Sequence, residues 1–530
     1  MLLGLQVAER GKGSVFLLFS LLPSGSGFGA GLNPDALRAW IDALPDAGAD
    51  ESAAAILVQL RRARRSVNRH ARLRMLDMLV APTLQVTARF EAELHRARQP
   101  LSLLLQRKIV GANELLKQHA ACYRETATEL SATWLGLGFA KVLPRAVAQA
   151  MEIERRRLAL AFRAYTPGSK SAWQSLHKLY RIARNAGYAD RCAEGAAGSP
   201  THLYIKSLLL AFSEPARLGA GELDRVLFYL DRHAGLAELH DAAGTVRELG
   251  ERDGCFLIRR RDDGPGQSLR KRQSPRVTGG DMVLDCGPLL KHLRMQIDGI
   301  EHGVQPSRLG LPAIARRPPY IALLRNLLTL WSTPPQRRHP RQQFRPRIDL
   351  VAGFDDVWAL LEGPAFGRRN DDAPPVTAVA SGISEWSISN EGPVGFALQY
   401  LNGEAGDLSV GALTGLRAKD RSAVHVCIVR RLVSGGVRPE LGLQKLAPAA
   451  VPTMISLRGK APGDSTASKA IVLLGVPFLD GGAAVLVRSG VLQTGMRVPF
   501  RQGQQKSLGQ AGAPFERGPA YDIFRLDIVA

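Results

Sequence analysis

Apolar residues recur at helical spacing through the first half of the chain, over residues 33–257. The pattern begins with Asn33, a residue type that caps helix N-termini, and with Pro34 in the first helical turn. We expect a bundle or a set of helical hairpins in this half. The first predicted helix begins at Pro34 and stops at Pro45, and a second helix follows it. Further helices are predicted over residues 101–123, 146–165, 172–186, 204–212 and 221–233.

The predicted helix that follows Pro45 is rich in arginine. Its apolar face consists of Ile56, Leu60, Ala63 and Val67, whereas Arg61, Arg62, Arg64 and Arg65 lie mostly on other faces. The basic side can be a solvated surface or a binding stripe. The amphipathic pattern favours the solvated surface, because a surface helix needs a polar face of this kind.

After Arg347 the pattern changes to short apolar runs separated by Gly, Pro, Asn and Asp, which is typical of β-strands and turns. Several short strands at this spacing indicate a barrel or a sandwich. From Met454 onwards a second series of runs predicts a further β unit. The predicted strands are residues 348–351, 377–380, 396–398, 424–432 and 441–446, and then 471–476, 484–487, 496–500 and 521–528.

The sequence therefore predicts an α+β multidomain protein, with an N-terminal all-α region followed by an antiparallel β-barrel and a C-terminal β unit. Residues 259–276, rich in Gly, Pro and Arg, read as a linker, and residues 282–300 and 320–331 return to helical spacing. The predicted divisions are an N-terminal extension (1–32), a helical domain (33–257), a linker with a small mixed module (258–336), a barrel (337–450) and a C-terminal β unit (451–530).

The N-terminal extension imitates a secretory signal peptide, since Arg10 and Lys12 precede an apolar run over residues 15–22. The alternative is a translated upstream region or a loose tail. The five cysteines are scattered without a CxxC pair, which favours a reducing compartment over a disulfide framework. We therefore predict a cytoplasmic protein without a transmembrane segment, and export is the less favoured alternative.

Composition narrows the class of partner. Of the 530 residues, 45% are hydrophobic and 22% are charged, as in soluble globular chains. The formal net charge is +22. The electrostatic field of this positive charge attracts phosphate-bearing partners, including nucleotides, nucleic acids and anionic lipids. No HExxH, G-x-S-x-G or G-x-x-x-x-G-K-[ST] motif occurs, so we predict a non-enzyme without catalytic residues, metal ligands or cofactor.

An arginine cluster precedes the first predicted barrel strand. It comprises Arg337 and Arg338, followed by Arg341 and Arg345, which are spaced four residues apart. Guanidinium groups stay charged, form forked hydrogen bonds to phosphate and bind the O6/N7 edge of guanine. The cluster therefore predicts a guanine-nucleotide site at this end of the β region.

A glycine-rich turn follows some forty residues later, where Asn390-Glu-Gly392-Pro-Val-Gly395 leads into the apolar run that begins at Phe396. Together, R-x-x-x-R and [D/N]-x-S-x-x-G form the signature of the PilZ family of cyclic di-GMP receptors, which this part of the chain resembles. The signature residues fall on Arg341, Arg345, Asn390, Gly392 and Gly395. More loosely, the chain resembles large PilZ-domain proteins of beta-proteobacteria that have an N-terminal helical region.

The resemblance implies a role for each of these five residues. The two arginines would hold phosphates and guanines, Asn390 would contact a guanine edge, and the glycines would permit the turn. The departure is Gly392, where the family has a serine whose hydroxyl both donates and accepts. A second register puts Ser387, Ser389 and Gly392 in the motif positions, which restores the serine and loses the Asn/Asp. We prefer the Asn390 register because its last glycine leads directly into the apolar strand.

The predicted function is a receptor that couples cyclic di-GMP binding at the barrel to a helical region that docks an unidentified protein partner. Arg337 and Arg338 are expected to assist the five signature residues in binding the ligand. One alternative is a basic nucleic-acid-binding protein, which the low aromatic content of 6% disfavours. Another is a PilZ-like barrel that has lost its ligand site and serves as a protein-interaction scaffold.

Overall fold

The computed structural model describes the chain from residue 34 to residue 529 with gaps. The described ranges are 34–44, 48–66, 68–132, 142–243, 252–269, 277–334, 346–362, 382–404, 406–418, 423–435, 438–458, 465–502 and 505–529. Asn33, the N-terminal extension, the arginines at 337, 338, 341 and 345, and the strand predicted at 377–380 all lie outside these residues. The chain forms two compact units, of which the first comprises residues up to 93, 106–157 and 175–204, and the second comprises 94–105, 158–174 and 205 onwards.

Helices account for the N-terminal half, as the periodicity predicts, and the α+β multidomain fold class is confirmed. In chain order they are α1 (Pro34–Asp42), α2 (Ala49–Arg65), α3 (Arg69–Arg96), α4 (Leu103–Ser131), α5 (Val142–Arg163), α6 (Lys170–Asn185), α7 (Pro200–Phe212) and α8 (Glu222–His233). None of the helices in the described ranges is long and apolar enough to cross a bilayer.

Helix α2 has the predicted amphipathic form. Ile56, Leu60 and Ala63 are fully buried, whereas Arg61 and Arg65 are exposed. Val67, the fourth residue of the predicted face, lies outside the described residues. The buried face stabilises the helix through the apolar surface that it removes from water, since helical propensity alone contributes little.

A small mixed module follows α8. Its four-stranded sheet has the order β1-β4-β2-β3, and two helices follow β4 in the chain. The elements are β1 (Glu238–Asp241), β2 (Cys255–Ile258), β3 (Gln267–Ser268), β4 (Met282–Asp285), α9 (Gly287–Glu301) and α10 (Pro318–Ser332). The prediction of helix was wrong for 238–241 and for 282–285. Met282, Val283 and Leu284 are all buried in a strand, and a continuous apolar run of that length does not distinguish a strand from a helix.

The barrel is closed and entirely antiparallel, with the strand order β10-β7-β6-β5-β8-β9. Its strands are β5 (Arg347–Ala352), β6 (Ser384–Gly392), β7 (Gly395–Gly403), β8 (Leu413–Ala418), β9 (Val424–Val433) and β10 (Glu440–Lys445). Trp386, Leu398 and Val429 are among the side chains that fill its interior. The strands carry alternating buried residues, as a barrel with a packed core requires.

Helix α11 (Phe354–Glu362) lies between β5 and β6, in a segment to which the sequence pattern assigned no element. Only Gly353 separates it from the apolar run of β5, so the two merge in the sequence pattern. Val357 and Trp358 are buried in a core that includes residues of both the barrel and the C-terminal sheet. The indole Nε1 of Trp358 donates to the carbonyl of Ala470 at 3.2 Å. The helix therefore joins two β structures of the second unit.

The C-terminal β unit is a six-stranded antiparallel sheet with the order β11-β12-β13-β16-β15-β14. Its strands are β11 (Ala449–Arg458), β12 (Ser465–Val476), β13 (Gly482–Arg488), β14 (Arg497–Gln502), β15 (Gln505–Arg517) and β16 (Tyr521–Val529). Ile471 and Leu473 face the core that contains α11, whereas Val472 and Val485 belong to a separate core of the sheet. Both faces are thus buried, which explains the near-continuous apolar runs in this part of the sequence.

Candidate functional site

The β6–β7 hairpin carries the described part of the predicted motif. Gly392 pairs with Gly395 across the turn, and Asn390 pairs with Ala397. The register shifts between Ile388 and Asn390, so that Ser389 occupies a bulge and its hydroxyl donates to the carbonyl of Ala397 at 3.0 Å. Bulges redirect side chains at the edges of functional sites. The turn therefore determines where the Asn390 side chain points.

The two glycines of this turn have different surroundings. A Cβ atom at Gly395 would lie 2.1 Å from the carbonyl oxygen of Leu443 on β10, so the close approach of two strands requires glycine there. A Cβ atom at Gly392 would meet no other atom within 4 Å. Gly395 is therefore a structural requirement of the barrel, whereas Gly392 has room for a side chain.

Asn390 has a polar atom without a partner. Its Oδ1 is buried, and it accepts no hydrogen bond from any described residue. A buried amide oxygen without a hydrogen bond costs free energy, of the order of 1–3 kcal/mol. A ligand that donates a hydrogen bond to this atom would remove the cost.

A pocket of about 1040 Å³ opens beside this turn, entirely within the second unit. The barrel contributes residues 390–397 to its lining, together with residues of β9 and β10. The α5–α6 loop contributes residues 165–168, and the single 3₁₀ turn Pro215–Arg217 with Glu214 contributes a further wall. Residues 263–265 and Phe478 complete the lining. The pocket thus brings Asn390, Gly392 and Gly395 together with parts of the chain that the motif does not include.

The described pocket lining contains three arginines and as many carboxylates, and two of the arginines are on β9. The Arg430 guanidinium donates to Gln444 Oε1 at 2.6 Å and forms an ion pair with Glu516 at 2.7 Å. Arg431, the next residue, is exposed and makes no ion pair with any residue in the described ranges. Arg217 is paired with Glu214 at 2.9 Å. Arg431 is therefore the pocket arginine whose charge no described carboxylate offsets.

The wall formed by the α5–α6 loop is fastened to the end of β9. The backbone N–H of Ser434 donates to the carbonyl of Tyr165 at 2.9 Å. Burial raises the pKa of Tyr165 to about 12, so its hydroxyl stays protonated and donates to the carbonyl of Leu218 at 2.8 Å. A Cβ atom at Gly435 would lie 2.6 Å from Thr166, which shows how closely this loop and the barrel approach each other.

Backbone strain is concentrated around the pocket. Tyr165, Glu214 and Asp480 are the non-glycine residues with left-handed backbone angles in the described part of the chain, with φ of 53°, 50° and 51°. Tyr165 and Glu214 line the pocket, and Asp480 follows the lining residue Phe478 by two positions. Such conformations cost roughly 1 kcal/mol or more each and cluster at functional sites. This distribution marks the pocket as the candidate binding site.

The predicted arginine cluster is outside the described residues, but the chain that follows it is not. The carbonyl of Pro346 accepts a hydrogen bond from the N–H of Ile388 at 3.1 Å, two residues before Asn390 on β6. Arg347 then pairs with Ser387 at the start of β5. Arg430, Arg431 and Phe478 were not predicted as site residues, because nothing in their local sequence connects them to the turn at Asn390.

The comparisons with known proteins point to one class, that of cyclic di-GMP receptors. A family model described as the N-terminal domain of the cyclic-di-GMP receptor FimW matches residues 35–243. The match covers the helical half of the chain and ends before the barrel. The particular relative is the cyclic-di-GMP receptor FimW of Pseudomonas aeruginosa, which is 21% identical over 90% of this chain and 86% of its own length. The similarity to that receptor therefore extends through the β half as well.

Proposed function

We propose that this protein is a receptor that binds cyclic di-GMP in the pocket beside the β6–β7 turn and catalyses no reaction. One observation carries the proposal: Asn390, Gly392 and Gly395 line the same pocket as Arg430 and Arg431. The names of the matched family and relative state the same ligand. We further propose that the barrel is a PilZ-like domain, in keeping with its closed antiparallel form and with the motif that it carries.

The pocket suits the chemistry of a cyclic dinucleotide of guanine. Two phosphates require cations, and the Arg431 guanidinium can donate forked hydrogen bonds to phosphate oxygens, whereas Nε and Nη2 of Arg430 are already bonded to Gln444 and Glu516. A guanine edge offers N–H donors at N1 and N2, which match the unpartnered Oδ1 of Asn390. The volume of about 1040 Å³ lies near the upper end of small-molecule sites, so the ligand fits without displacing a wall.

Arg341 and Arg345 complete the proposed site. Pro346, the first described residue after them, is hydrogen-bonded to β6, the strand that carries Asn390. Arg345 directly precedes Pro346 in the sequence, and we propose that its side chain contacts the ligand. Arg337 and Arg338 would add positive charge farther along the same segment.

The same pocket offers a route from ligand binding to the helical region. Residues 165–168 and 214–217, which the periodicity assigns to that region, form walls of the pocket. A ligand that contacts the barrel and these walls together favours the arrangement in which they are close. It can shift that equilibrium only by its differential affinity for the two arrangements. We propose that an unidentified protein partner reads this change at the helical region, in the cytoplasm, where the free thiols of all five cysteines would persist.

Isothermal titration calorimetry of the full-length protein with cyclic di-GMP tests the proposal. We expect saturable one-site binding by the wild type. Binding should be lost in the double variant Arg341→Ala/Arg345→Ala and weakened about tenfold in Asn390→Ala, because removal of a guanine contact costs roughly 1–1.5 kcal/mol.

Asn402→Ala is the matched control, since Asn402 lies on the same hairpin and pairs with Glu385 at 2.9 Å outside the pocket. It should bind as the wild type does. If the wild type shows no saturation at high micromolar ligand, the receptor proposal is wrong and the barrel is a protein-interaction scaffold. Binding to RNA or DNA that falls steeply with salt would favour the nucleic-acid alternative instead.

A further inference from the structure

Five aromatic side chains line the pocket, and they differ in how much of each ring is free. Phe162, Trp173 and Phe396 are buried. Tyr165 is half-buried and its hydroxyl is bonded to Leu218. Phe478 alone of the five is a large exposed aromatic residue, with 48% of its surface accessible. It is therefore the pocket aromatic with a ring face that a ligand can cover.

Phe396 illustrates why exposure decides the choice. The Lys445 ammonium lies 4.1 Å from the centre of its ring, and Lys445 is itself paired with Glu391 at 2.9 Å. One face of Phe396 is thus already occupied by a cation, and the rest of the side chain belongs to the barrel interior. A base cannot stack on this ring without breaking the existing contacts.

Phe478 is held in place by a short connection between two strands. It lies on the 3₁₀ turn Pro477–Leu479, which joins β12 to β13 of the C-terminal sheet. The carbonyl of the buried residue Val476 accepts a hydrogen bond from Gly481 at 3.1 Å, which closes the turn. Asp480 takes the left-handed backbone conformation that allows the chain to reverse here. Because the backbone of this turn is fixed, less entropy is lost when a flat ligand covers the ring than on a flexible loop.

A second contact brings the C-terminal sheet to the pocket. Glu516 on β15 holds the Arg430 guanidinium with both carboxylate oxygens, at 2.7 and 2.9 Å from the same nitrogen. The sheet therefore approaches the pocket at two places, one aromatic and one acidic. Neither residue belongs to the motif on β6 and β7.

We propose that a guanine base of cyclic di-GMP stacks on Phe478, so that the C-terminal sheet forms part of the binding site. This inference rests on the proposed function. The purine offers a large π face, and stacking on an exposed aromatic ring is a general way for proteins to bind nucleobases. The arginines of β9 then contact phosphates or a base edge while Phe478 covers a base face. The C-terminal sheet has a direct role in ligand affinity under this arrangement.

The test uses the full-length protein and cyclic di-GMP as the titrant. Phe478→Ala should bind about tenfold more weakly than the wild type, whereas Phe478→Tyr, which keeps the ring, should bind within about twofold. Phe515→Ala is the matched control, because Phe515 is 38% exposed on the same sheet but does not line the pocket. It should bind as the wild type does. Each variant is first checked for a wild-type melting temperature, which both exposed positions allow.

A spectroscopic readout separates stacking from a general loss of structure. The fluorescence of Phe478→Trp, corrected for the emission of the wild type, should be quenched when cyclic di-GMP is added, and that of Phe515→Trp should not. If the wild type binds and Phe478→Ala binds equally well, the inference is overturned while the receptor function stands. Equal weakening by Phe515→Ala also overturns it. Absence of binding by the wild type overturns the receptor proposal and this inference together.

Discussion

A buried histidine of the first unit and a buried asparagine beside the pocket of the second unit differ in their hydrogen bonding. In the first unit, the buried imidazole of His119 has a partner for each ring nitrogen, at Leu76 and Thr83. In the pocket, Asn390 Oδ1 is buried without a partner among the described residues, and Arg431 is exposed without an ion pair there. Both hydrogen bonds of His119 are made within the fold, whereas Asn390 Oδ1 lies at a pocket and can accept a hydrogen bond from a ligand there.

Two buried carboxylates of helix α5 in the first unit are paired with arginines. Burial acts to raise the pKa of Glu152, but hydrogen bonds and charge from Arg155 and Arg156 outweigh it and lower that pKa. Burial is the larger effect at Glu154 and raises its pKa despite the pairing with Arg157 at 3.1 Å. Neither carboxylate lines the pocket beside the β6–β7 turn, and both are paired with arginines of their own helix.

The largest effect that we expect comes from adding a methyl group at Gly395. Gly395→Ala places a Cβ atom 2.1 Å from the Leu443 carbonyl, so β7 and β10 must separate. We expect a loss of about 3 kcal/mol or more in the free energy of unfolding of the second unit, at the upper end for overpacking. Urea denaturation measures this loss of free energy, and hydrogen exchange of the β7 amides shows whether it is located at this strand.

Gly392→Ala is the matched control for Gly395→Ala, because its Cβ atom meets nothing within 4 Å. Its free energy of unfolding should stay within about 0.5 kcal/mol of the wild-type value, as it does for most surface substitutions. Equal losses at the two positions would show that the close approach at Gly395 does not limit the barrel.

The next effect is a pH dependence confined to the first unit. The carbonyl of Leu76 can only accept, so His119 Nε2 carries the proton and Nδ1 accepts from the Thr83 hydroxyl, which describes a neutral ring. Burial lowers the pKa of His119 to about 4, below the unfolded value near 6.5. As the pH falls, the unfolded state therefore binds a proton before the folded state does. The stability that this difference contributes is present above pH 6.5 and is lost as the pH falls towards 4.

Between pH 7 and pH 5 this difference in pKa lowers the free energy of unfolding by about 2 kcal/mol. Hydrogen exchange of the α4 amides around His119, measured across this range, checks it. His119→Gln should show a shallower decline with falling pH, and His70→Gln, which removes an exposed imidazole on α3, should decline as the wild type does. A wild-type protein whose α4 protection is the same at both pH values contradicts the neutral buried ring.

Sequence periodicity predicted the elements whose signal is local. The face of α2 is an example, since Ile56 and Leu60 repeat with the turn of the helix itself. The helix predicted at 282–285 was wrong because a run of buried residues has no period. Helix α11 was missed because only Gly353 separates its apolar residues from the apolar run of β5.

The same limit applies to the candidate site. The turn from Asn390 to Gly395 was predictable, because a hairpin is formed by neighbouring residues and its glycine spacing is visible in the sequence. Glu214, Arg430 and Phe478 belong to three separate segments, and only folding brings them to one pocket. The arginines at 341 and 345 remain a prediction, since they lie outside the described residues.

The smallest effect that we expect is a gain in affinity at the position where the chain departs from the PilZ signature. Gly392→Ser restores the hydroxyl, and the open space at this position admits it without displacing another atom. One added hydrogen bond contributes roughly 0.5–1.5 kcal/mol, so cyclic di-GMP should bind up to about tenfold more tightly with stability unchanged.

Titration calorimetry of Gly392→Ser beside Ser389→Ala distinguishes the two motif registers. Ser389 already donates to Ala397 and sits in the bulge, so its loss should leave affinity unchanged if Asn390 begins the motif. Weaker binding by Ser389→Ala, with no gain from Gly392→Ser, would favour the register through Ser387 and Ser389.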